Sequence, residues 1–223
     1  MKKKIIALSL SLVMLMSMAL LAFATPNFDL SVFSGEDDTT MIDLDDDGGV
    51  MIYINSIAQN HDVNDDEINM KADSAIVRLE PMVTSSKKYD LYLVSATIYS
   101  LSRYNITSIE FQIDDGIYTF SGMKNSTKKY QNDLYEESIH FVIDKHSVEF
   151  LEALRNHPDD EVKCKISNKA NTKSISISLS DTMKEKLVYL YELYESAGGT
   201  NPDNLNRVYL NSGINVYKFS YCS

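Results

Sequence analysis

Strict alternation of apolar and polar residues is the clearest pattern in the chain, and it predicts a β-hairpin near residue 115. Isoleucine or phenylalanine occupies every second position from 109 to 113, and a second β-prone run covers 117–120. Asp115-Gly116 lies between the two runs, and this dipeptide tolerates the positive φ values of a tight turn. We therefore expect two antiparallel strands joined at Asp115-Gly116.

Comparable runs predict the other strands. Residues 91–99 are almost all apolar, β-branched or aromatic, which is typical of a strand covered on both faces at the centre of a sheet. Residues 77–80 alternate, and this strand is expected to stop at Pro81 near a sheet edge. The remaining predicted strands cover 139–143, a hairpin at 162–167 and 174–179, and a closing hairpin at 208–210 and 214–221.

Apolar residues at helical spacing predict two helices. The first covers Ser147–Asn156, and Pro158 lies beyond its end. The second covers Asp181–Ala197, with Ser180 as N-cap and Gly198-Gly199 as its stop. Its buried arc is expected to contain Met183, Leu187, Leu190, Tyr191, Tyr194 and Ala197.

Tyr189 is the exception on the second helix, because helical spacing places it among polar residues. An exposed aromatic ring can stack on a sugar or bury against a protein partner, so Tyr189 is our candidate ligand-binding residue. The chain has 14 Tyr and no Trp, which favours a protein partner over a glycan. Further candidates for a tyrosine-bearing surface are Tyr99, Tyr104, Tyr118, Tyr130 and Tyr135.

The order of these elements predicts a mainly β protein of the α+β class. Because the strands are mostly joined by turns, we expect antiparallel sheets in a sandwich-like arrangement, with the two helices packed on the sheet. The sequence shows no βαβ alternation and no internal repeat, which argues against a Rossmann-type or barrel enzyme.

The first 24 residues have the pattern of a secretory signal peptide. Lys2–Lys4 precede an uncharged run over 5–23 that ends in Ala22-Phe23-Ala24. The run is long enough to span a bilayer, so an uncleaved membrane helix is the alternative, but its small-residue end favours cleavage after Ala24. We expect a secreted, extracellular protein with no stable membrane insertion after signal cleavage.

The net charge is −11 for the whole chain and −14 without the three lysines of the first 24 residues, and most of the negative charge lies in one segment. Residues 25–74 contain 13 acidic residues against the single base Lys71, whereas residues 75–223 contain 19 acids and 17 bases. We expect an acidic, largely flexible leader over 25–74, in which 50–54 is either an early strand or an isolated segment, and a mainly β domain over 75–223. Neither part offers a basic surface to a phosphate backbone, so nucleic acid is not an expected ligand.

Two acidic patches in the leader partly match calcium-binding loops. Asp43, Asp45 and Asp47 occupy the first, third and fifth positions of such a loop, but its twelfth position is Ile54. The second patch places Asp62, Asn64, Asp66 and Asp73 at ligand positions and resembles one loop of a dockerin, but Glu67 replaces the turn glycine. The two interpretations are a solvated acidic spacer and a weak calcium site.

No established catalytic motif is present, so the sequence offers no positive support for an enzyme. His140, Asp144 and His146 would share a face if their strand continued; the alternative places Asp144 and His146 at the start of the first helix. Cys164 and Cys222 are the only cysteines. They either form a disulfide or remain thiols, and alternation with Val162 points Cys164 inward.

Three segments resemble those of a type of exported bacterial protein without an assigned activity. They are 78–81, 117–122 and the stretch from Leu179 through Tyr191 to Gly199. The resemblance covers about residues 75–199 and implies a fold and an extracellular location, without site residues. Our functional expectation is non-catalytic binding of an extracellular protein or glycan. The alternatives are a hydrolase of an extracellular polymer that uses carboxylates, and a calcium-dependent adhesion module.

Overall fold

The computed structural model describes residues 28–36, 39–44, 49–54, 69–72, 75–85, 90–123, 125–131, 133–201 and 218–222. The described helices are α1 (Ser31–Ser34), α2 (Val148–Asn156) and α3 (Asp181–Ser196). The strands are β1 (Thr39–Leu44), β2 (Gly49–Ile54), β3 (Asn69–Ala72), β4 (Ala75–Ser85), β5 (Asp90–Ser100), β6 (Ile106–Ile113), β7 (Gly116–Ser121), β8 (Ser126–Lys129), β9 (Tyr135–Val142), β10 (Val162–Asn168), β11 (Ser174–Ser178) and β12 (Lys218–Cys222).

The strands form two antiparallel sheets, and the predicted fold class is confirmed. Sheet 1 has seven strands in the order β1-β2-β4-β5-β9-β8, with β3 also paired to β4. Sheet 2 has the order β11-β10-β6-β7-β12. β5 lies in the interior of sheet 1 and is buried along most of its length, as its continuous apolar run predicts.

The prediction that β4 stops at Pro81 is wrong, because the strand continues to Ser85. β5 pairs with β4 along its whole length, so β2 and β3 share the other side of β4. β3 pairs with residues 75–78 and β2 with residues 82–85. Pro81 therefore stands where β4 has no described partner on that side, and a residue without an N–H is tolerated at such a position.

The first predicted hairpin forms β6 and β7, but its turn lies one residue earlier than expected. Ile113 pairs with Gly116, so Asp114 and Asp115 form the turn. The positive φ of 50° falls on Asp114, and aspartate is among the residues that tolerate this conformation. The second hairpin forms β10 and β11 as predicted. β12 pairs with β7, and the predicted strand at 208–210 lies outside the described residues.

An aromatic cluster lies where the two sheets meet α2. Phe120 of sheet 2 stacks against Phe141 of sheet 1 with ring centroids 4.1 Å apart. Phe111 of sheet 2 lies 4.5 Å from Phe150 of α2, measured between ring centroids. All four rings are buried. Aromatic pairs of this kind stabilise a core by about 0.5–1.5 kcal/mol beyond their area burial.

A buried carboxylate also joins the sheets. Glu137 on β9 of sheet 1 accepts hydrogen bonds from the backbone N–H groups of Tyr104 and Ile106, which lead into sheet 2. Asn125 donates a third hydrogen bond, 2.8 Å long, from its side-chain amide. Asn105 lies between the two backbone donors with a φ of 56°, a conformation that lets successive N–H groups face one anion.

α3 begins at the predicted Asp181, ends at Ser196, one residue before the predicted end, and buries the predicted face. Ser180 accepts a hydrogen bond from the backbone N–H of Met183 at 3.2 Å, and Gly198 follows the helix with a φ of 88°. All six residues of the predicted arc are buried. Tyr92 of β5 donates a 2.7 Å hydrogen bond to the carbonyl of Leu187, so the helix lies on sheet 1.

The early-strand interpretation of residues 50–54 is confirmed by β2, but the described part of the leader differs from the predicted flexible spacer. Residues 28–54, as far as they are described, are not a flexible spacer, because β1 and β2 extend sheet 1. Phe33 is 1% exposed, and Asp29 donates a 2.8 Å backbone hydrogen bond to the carbonyl of Ala197 after α3. Ile52 and Ile54 of β2 are also buried. The amino-acid composition of the leader did not indicate this structure, because only a few apolar side chains are buried among many acidic residues.

Candidate functional site

A cleft of about 430 Å³ lies between the end of α2 and the first turns of α3. This volume is within the range of about 300–1,000 Å³ that is common for ligand sites. Part of the lining is apolar, and the rest consists of two basic and four acidic side chains and a tyrosine. The lining residues are Leu154, Arg155, Pro158, Asp159, Asp181, Lys184, Glu185, Val188, Tyr189 and Glu192.

Lys184 is a structural element of the cleft rather than a free cation. Its side chain is buried, and Nζ donates to the carbonyls of Pro158 at 2.7 Å and Asp160 at 3.0 Å. It also lies 2.8 Å from a carboxylate oxygen of Asp181. An ammonium group has three donors, so these contacts use its full capacity and attach the loop after α2 to α3.

The second base of the cleft is also engaged. Arg155 of α2 pairs with Glu192 at 3.2 Å and with Glu195 at 3.1 Å, both on α3. These groups are partly exposed, so the pairs contribute little to stability, but they hold the guanidinium of Arg155 beside Glu192 and Glu195. Asp159 and Glu185 have no basic partner among the described residues, which leaves the cleft with two unneutralised carboxylates.

Tyr189 lies in this cleft, half-buried. Its hydroxyl donates a 2.6 Å hydrogen bond to a carboxylate oxygen of Glu36, 153 positions earlier in the chain. The hydroxyl is thus held by the leader segment, whereas the ring borders the cleft. Helical spacing could place Tyr189 on the polar side of α3, but the contact with Glu36 had no signal in the sequence.

The other candidate tyrosines do not form one platform. Tyr104 and Tyr118 are buried, so their assignment to an exposed surface is wrong. Tyr99 and Tyr130 lie near Glu136, and Tyr130 donates its hydroxyl to that carboxylate. Burial, followed by the charge of Glu136, raises the pKa of Tyr99. Tyr99 and Tyr130 thus lie beside Glu136 of β9, and neither lines the α2–α3 cleft.

A smaller cleft of about 220 Å³ bears on the hydrolase alternative. It is lined by Gln112, Asp114, Asp160, Glu161 and Lys163. None of its three carboxylates is buried: Asp114 and Glu161 are exposed, and Asp160 is half-exposed beside His157, 2.9 Å from the ring nitrogen. A general acid is commonly buried, and this cleft does not provide that burial.

The calcium candidates are mostly outside the described residues. Asp45, Asp47, Asp62, Asn64, Asp66 and Asp73 fall there. Asp43 is exposed on β1 and pairs with Val50, whereas Ile54 pairs with Thr39 at the opposite end of the hairpin. Residues 43 and 54 therefore do not close around one ion. Among the described residues, no group of three or more His, Cys, Asp or Glu side chains is arranged to hold a metal.

The histidine candidates are separated by the start of α2. His140 is exposed on β9, whereas Asp144 is buried and accepts hydrogen bonds from the backbone N–H groups of His146 at 3.0 Å and Ser147 at 2.8 Å. The interpretation that placed Asp144 and His146 at the start of the helix is confirmed. Asp144 supports the helix start instead of forming a catalytic pair.

Cys164 is a buried, free thiol on β10. Cys222 lies on β12, three strands away in sheet 2, which places the two Cα atoms about 14 Å apart. A disulfide requires less than about 7 Å between Cα atoms, so this fold excludes the bridge. Burial, followed by the charge of Glu110, raises the pKa of the Cys164 thiol, the opposite of what a nucleophile needs.

We expect Cys164 to resist alkylation in the folded protein. In a Cys222→Ser variant it is the single thiol, and iodoacetamide should modify it at least about tenfold more slowly without denaturant than in denaturant, because the thiolate is disfavoured and buried. Mass spectrometry over time measures the rate. Equal rates in both conditions would contradict the buried position.

The fold and the cleft define a two-sheet α+β protein with a partly apolar, acidic cleft between two helices. Comparisons with known protein families, with curated proteins and with solved structures found no match. Within the described residues, no helix combines the length and apolar character that crossing a bilayer requires.

Proposed function

We propose that this is an exported, non-catalytic binding protein whose α2–α3 cleft receives a basic segment of an extracellular protein. The observation that carries the proposal is the pair of carboxylates, Asp159 and Glu185, that line the cleft without a basic partner in the described structure. A lysine or arginine side chain would supply the missing charge.

The remaining lining suits the same ligand. Leu154, Pro158 and Val188 provide apolar contact for the methylene stem of a long basic side chain. The ring of Tyr189 borders the cleft and can face a cation or a planar guanidinium. A protein ligand is favoured over a glycan because a single half-buried tyrosine, hydrogen-bonded to Glu36, makes a poor sugar-stacking platform.

The first 24 residues support the export part of the proposal through their signal-peptide pattern. A non-catalytic role is supported by the exposed or half-exposed carboxylates of the smaller cleft and by the buried, protonated thiol of Cys164. Binding requires only a cleft of suitable shape and charge. Hydrolysis would also require a buried general acid or a reactive nucleophile, which these groups do not provide.

The test is charge reversal in the cleft. An Asp159→Lys/Glu185→Lys variant should bind lysine- and arginine-rich peptides at least about tenfold more weakly than the unchanged chain, equivalent to about 1.4 kcal/mol. Fluorescence anisotropy with labelled peptides measures the dissociation constants. The binding of the unchanged chain should also weaken as salt is raised.

The matched control is Asp115→Lys/Glu152→Lys, which changes the net charge equally at exposed positions outside the cleft. It should retain the affinity of the unchanged chain. Equal loss in both variants would show that only net charge matters, and no preference for basic over acidic peptides would refute the proposal. Selective binding of soluble oligosaccharides instead would assign the cleft to a glycan.

A further inference from the structure

The two ends of sheet 1 carry opposite charge. β1 and β8 are the terminal strands of the described sheet, and each has one strand neighbour there. Terminal strands are places where another chain can add to a sheet by backbone hydrogen bonding. The side chains of a terminal strand determine which other strand can pair with it.

The β1 edge is apolar and acidic. Met41 is 42% exposed and Ile42 is 46% exposed, which makes them two of the three exposed large apolar residues in the described chain. Asp43 is also exposed and gives this edge a negative charge. Long edge strands with exposed apolar residues are normally blunted by lysine, proline or a covering segment. Within β1 there is no lysine or proline.

The β8 edge is basic. All four of its residues are exposed, and its last two are Lys128 and Lys129. Lys128 lies over the ring of Tyr130 at 4.5 Å, and Lys129 pairs with Asp133 at 2.7 Å. Arg103 adds a third cation, since its guanidinium donates a 3.5 Å hydrogen bond to Thr127 of this strand. Two acids, Asp133 and the Glu136 of β9 opposite Lys128, thus accompany three bases at this edge.

Strand direction permits these two edges to meet. Every neighbouring pair from β1 to β8 is antiparallel, and there are five such pairs along the sheet. β1 and β8 therefore run in opposite directions. A second copy placed beside the first in the same orientation brings its β1 antiparallel to β8, and each sheet face continues as the same face.

We propose that copies of this chain assemble head to tail, with β1 of one copy adding to β8 of the next. Backbone hydrogen bonds extend sheet 1 across the contact, and the lysines of β8 face the acidic β1 edge. The contact is heterologous, so a pair of copies keeps one unused β1 edge and one unused β8 edge, and the assembly can grow. This surface is separate from the α2–α3 cleft and does not depend on the function proposed for it.

Sedimentation velocity of the purified chain, with the leader over 25–74 that carries β1, tests the proposal. We expect species larger than the monomer that increase with protein concentration and decrease as salt is raised, because the edges attract through exposed charges. A chain that remains monomeric at all concentrations at low salt would overturn the proposal.

Charge reversal at each edge sharpens the test. Lys128→Glu/Lys129→Glu makes both edges acidic, and Met41→Lys/Asp43→Lys makes both basic, so each variant alone should be monomeric. Mixed in equal amounts, the two variants should assemble again, because each acidic edge then finds a basic one. Circular dichroism should show that both variants are folded, because all four substituted positions are exposed.

The control is Lys163→Glu/Lys169→Glu, which changes the net charge by the same amount as Lys128→Glu/Lys129→Glu at exposed positions on β10 and in the turn that follows it. It should assemble like the unchanged chain. Assembly of either edge variant alone to the same extent as the unchanged chain would overturn the proposal, and so would failure of the mixture to assemble.

Discussion

A chain that begins at residue 75 is expected to lose most of its stability, although the acidic leader looks dispensable in the sequence. Truncation removes β1, β2 and β3 and leaves one side of β4 without its described partners. It also removes Phe33, Ile52 and Ile54 from the core. Burial of three such side chains contributes about 5–9 kcal/mol before ordering costs, which is comparable with the net stability of a typical domain.

Thermal unfolding and sedimentation measure this effect. The 75–223 chain should lack a cooperative transition or melt far below the full chain, and its exposed β4 should promote self-association. A chain that begins at residue 28 is the control and should retain the transition. If the 75–223 chain melts like the control and stays monomeric, the leader is not part of the folded unit.

Replacing Glu137 by alanine is the second change with a large expected effect. It leaves the backbone N–H groups of Tyr104 and Ile106, and the amide of Asn125, without their shared acceptor. An unsatisfied buried donor costs about 1–3 kcal/mol, so we expect a loss of about 2–5 kcal/mol in the free energy of unfolding. Urea denaturation of the variant and of the unchanged chain measures the difference.

Glu137→Gln provides the matched comparison, because glutamine keeps one acceptor oxygen and nearly the same shape. Its stability should fall between those of the alanine variant and the unchanged chain. A Leu101→Ala variant, at a position that is 74% exposed, should change the free energy of unfolding by less than about 0.5 kcal/mol. Equal stability of Glu137→Ala and the unchanged chain would contradict the role of this carboxylate.

The dependence on the leader also affects how the cleft must be studied. Tyr189 is held by Glu36, so a truncated chain changes the cleft together with the sheet. The charge-reversal variants in the full chain separate the two effects, since they change Asp159 and Glu185 and leave Tyr189 and Glu36 in place. Export, the bacterial resemblance and calcium binding stay predictions, to be tested on the full chain.

Local patterns determined much of the fold. The alternation in β6 and β7, the apolar run of β5, and the cap and buried arc of α3 each depend on residues within one element or one turn. The same signals placed Tyr189 on the polar side of its helix. They depend on the periods of helices and strands and on the conformations allowed in turns, so they can be seen without knowing what packs against them.

Tertiary structure alone decided where polar and acidic segments belong. β8 is exposed and polar along its whole length, and only its pairing with β9 makes it a strand. β1 and β2 join sheet 1 because β2 pairs with the side of β4 that β5 leaves open. The amino-acid composition of these segments does not reveal this pairing. Lys184 is buried because carbonyls of a distant loop surround its ammonium group. The physical reason is the same in each case: the stabilising partner is remote in sequence, so no local pattern contains it.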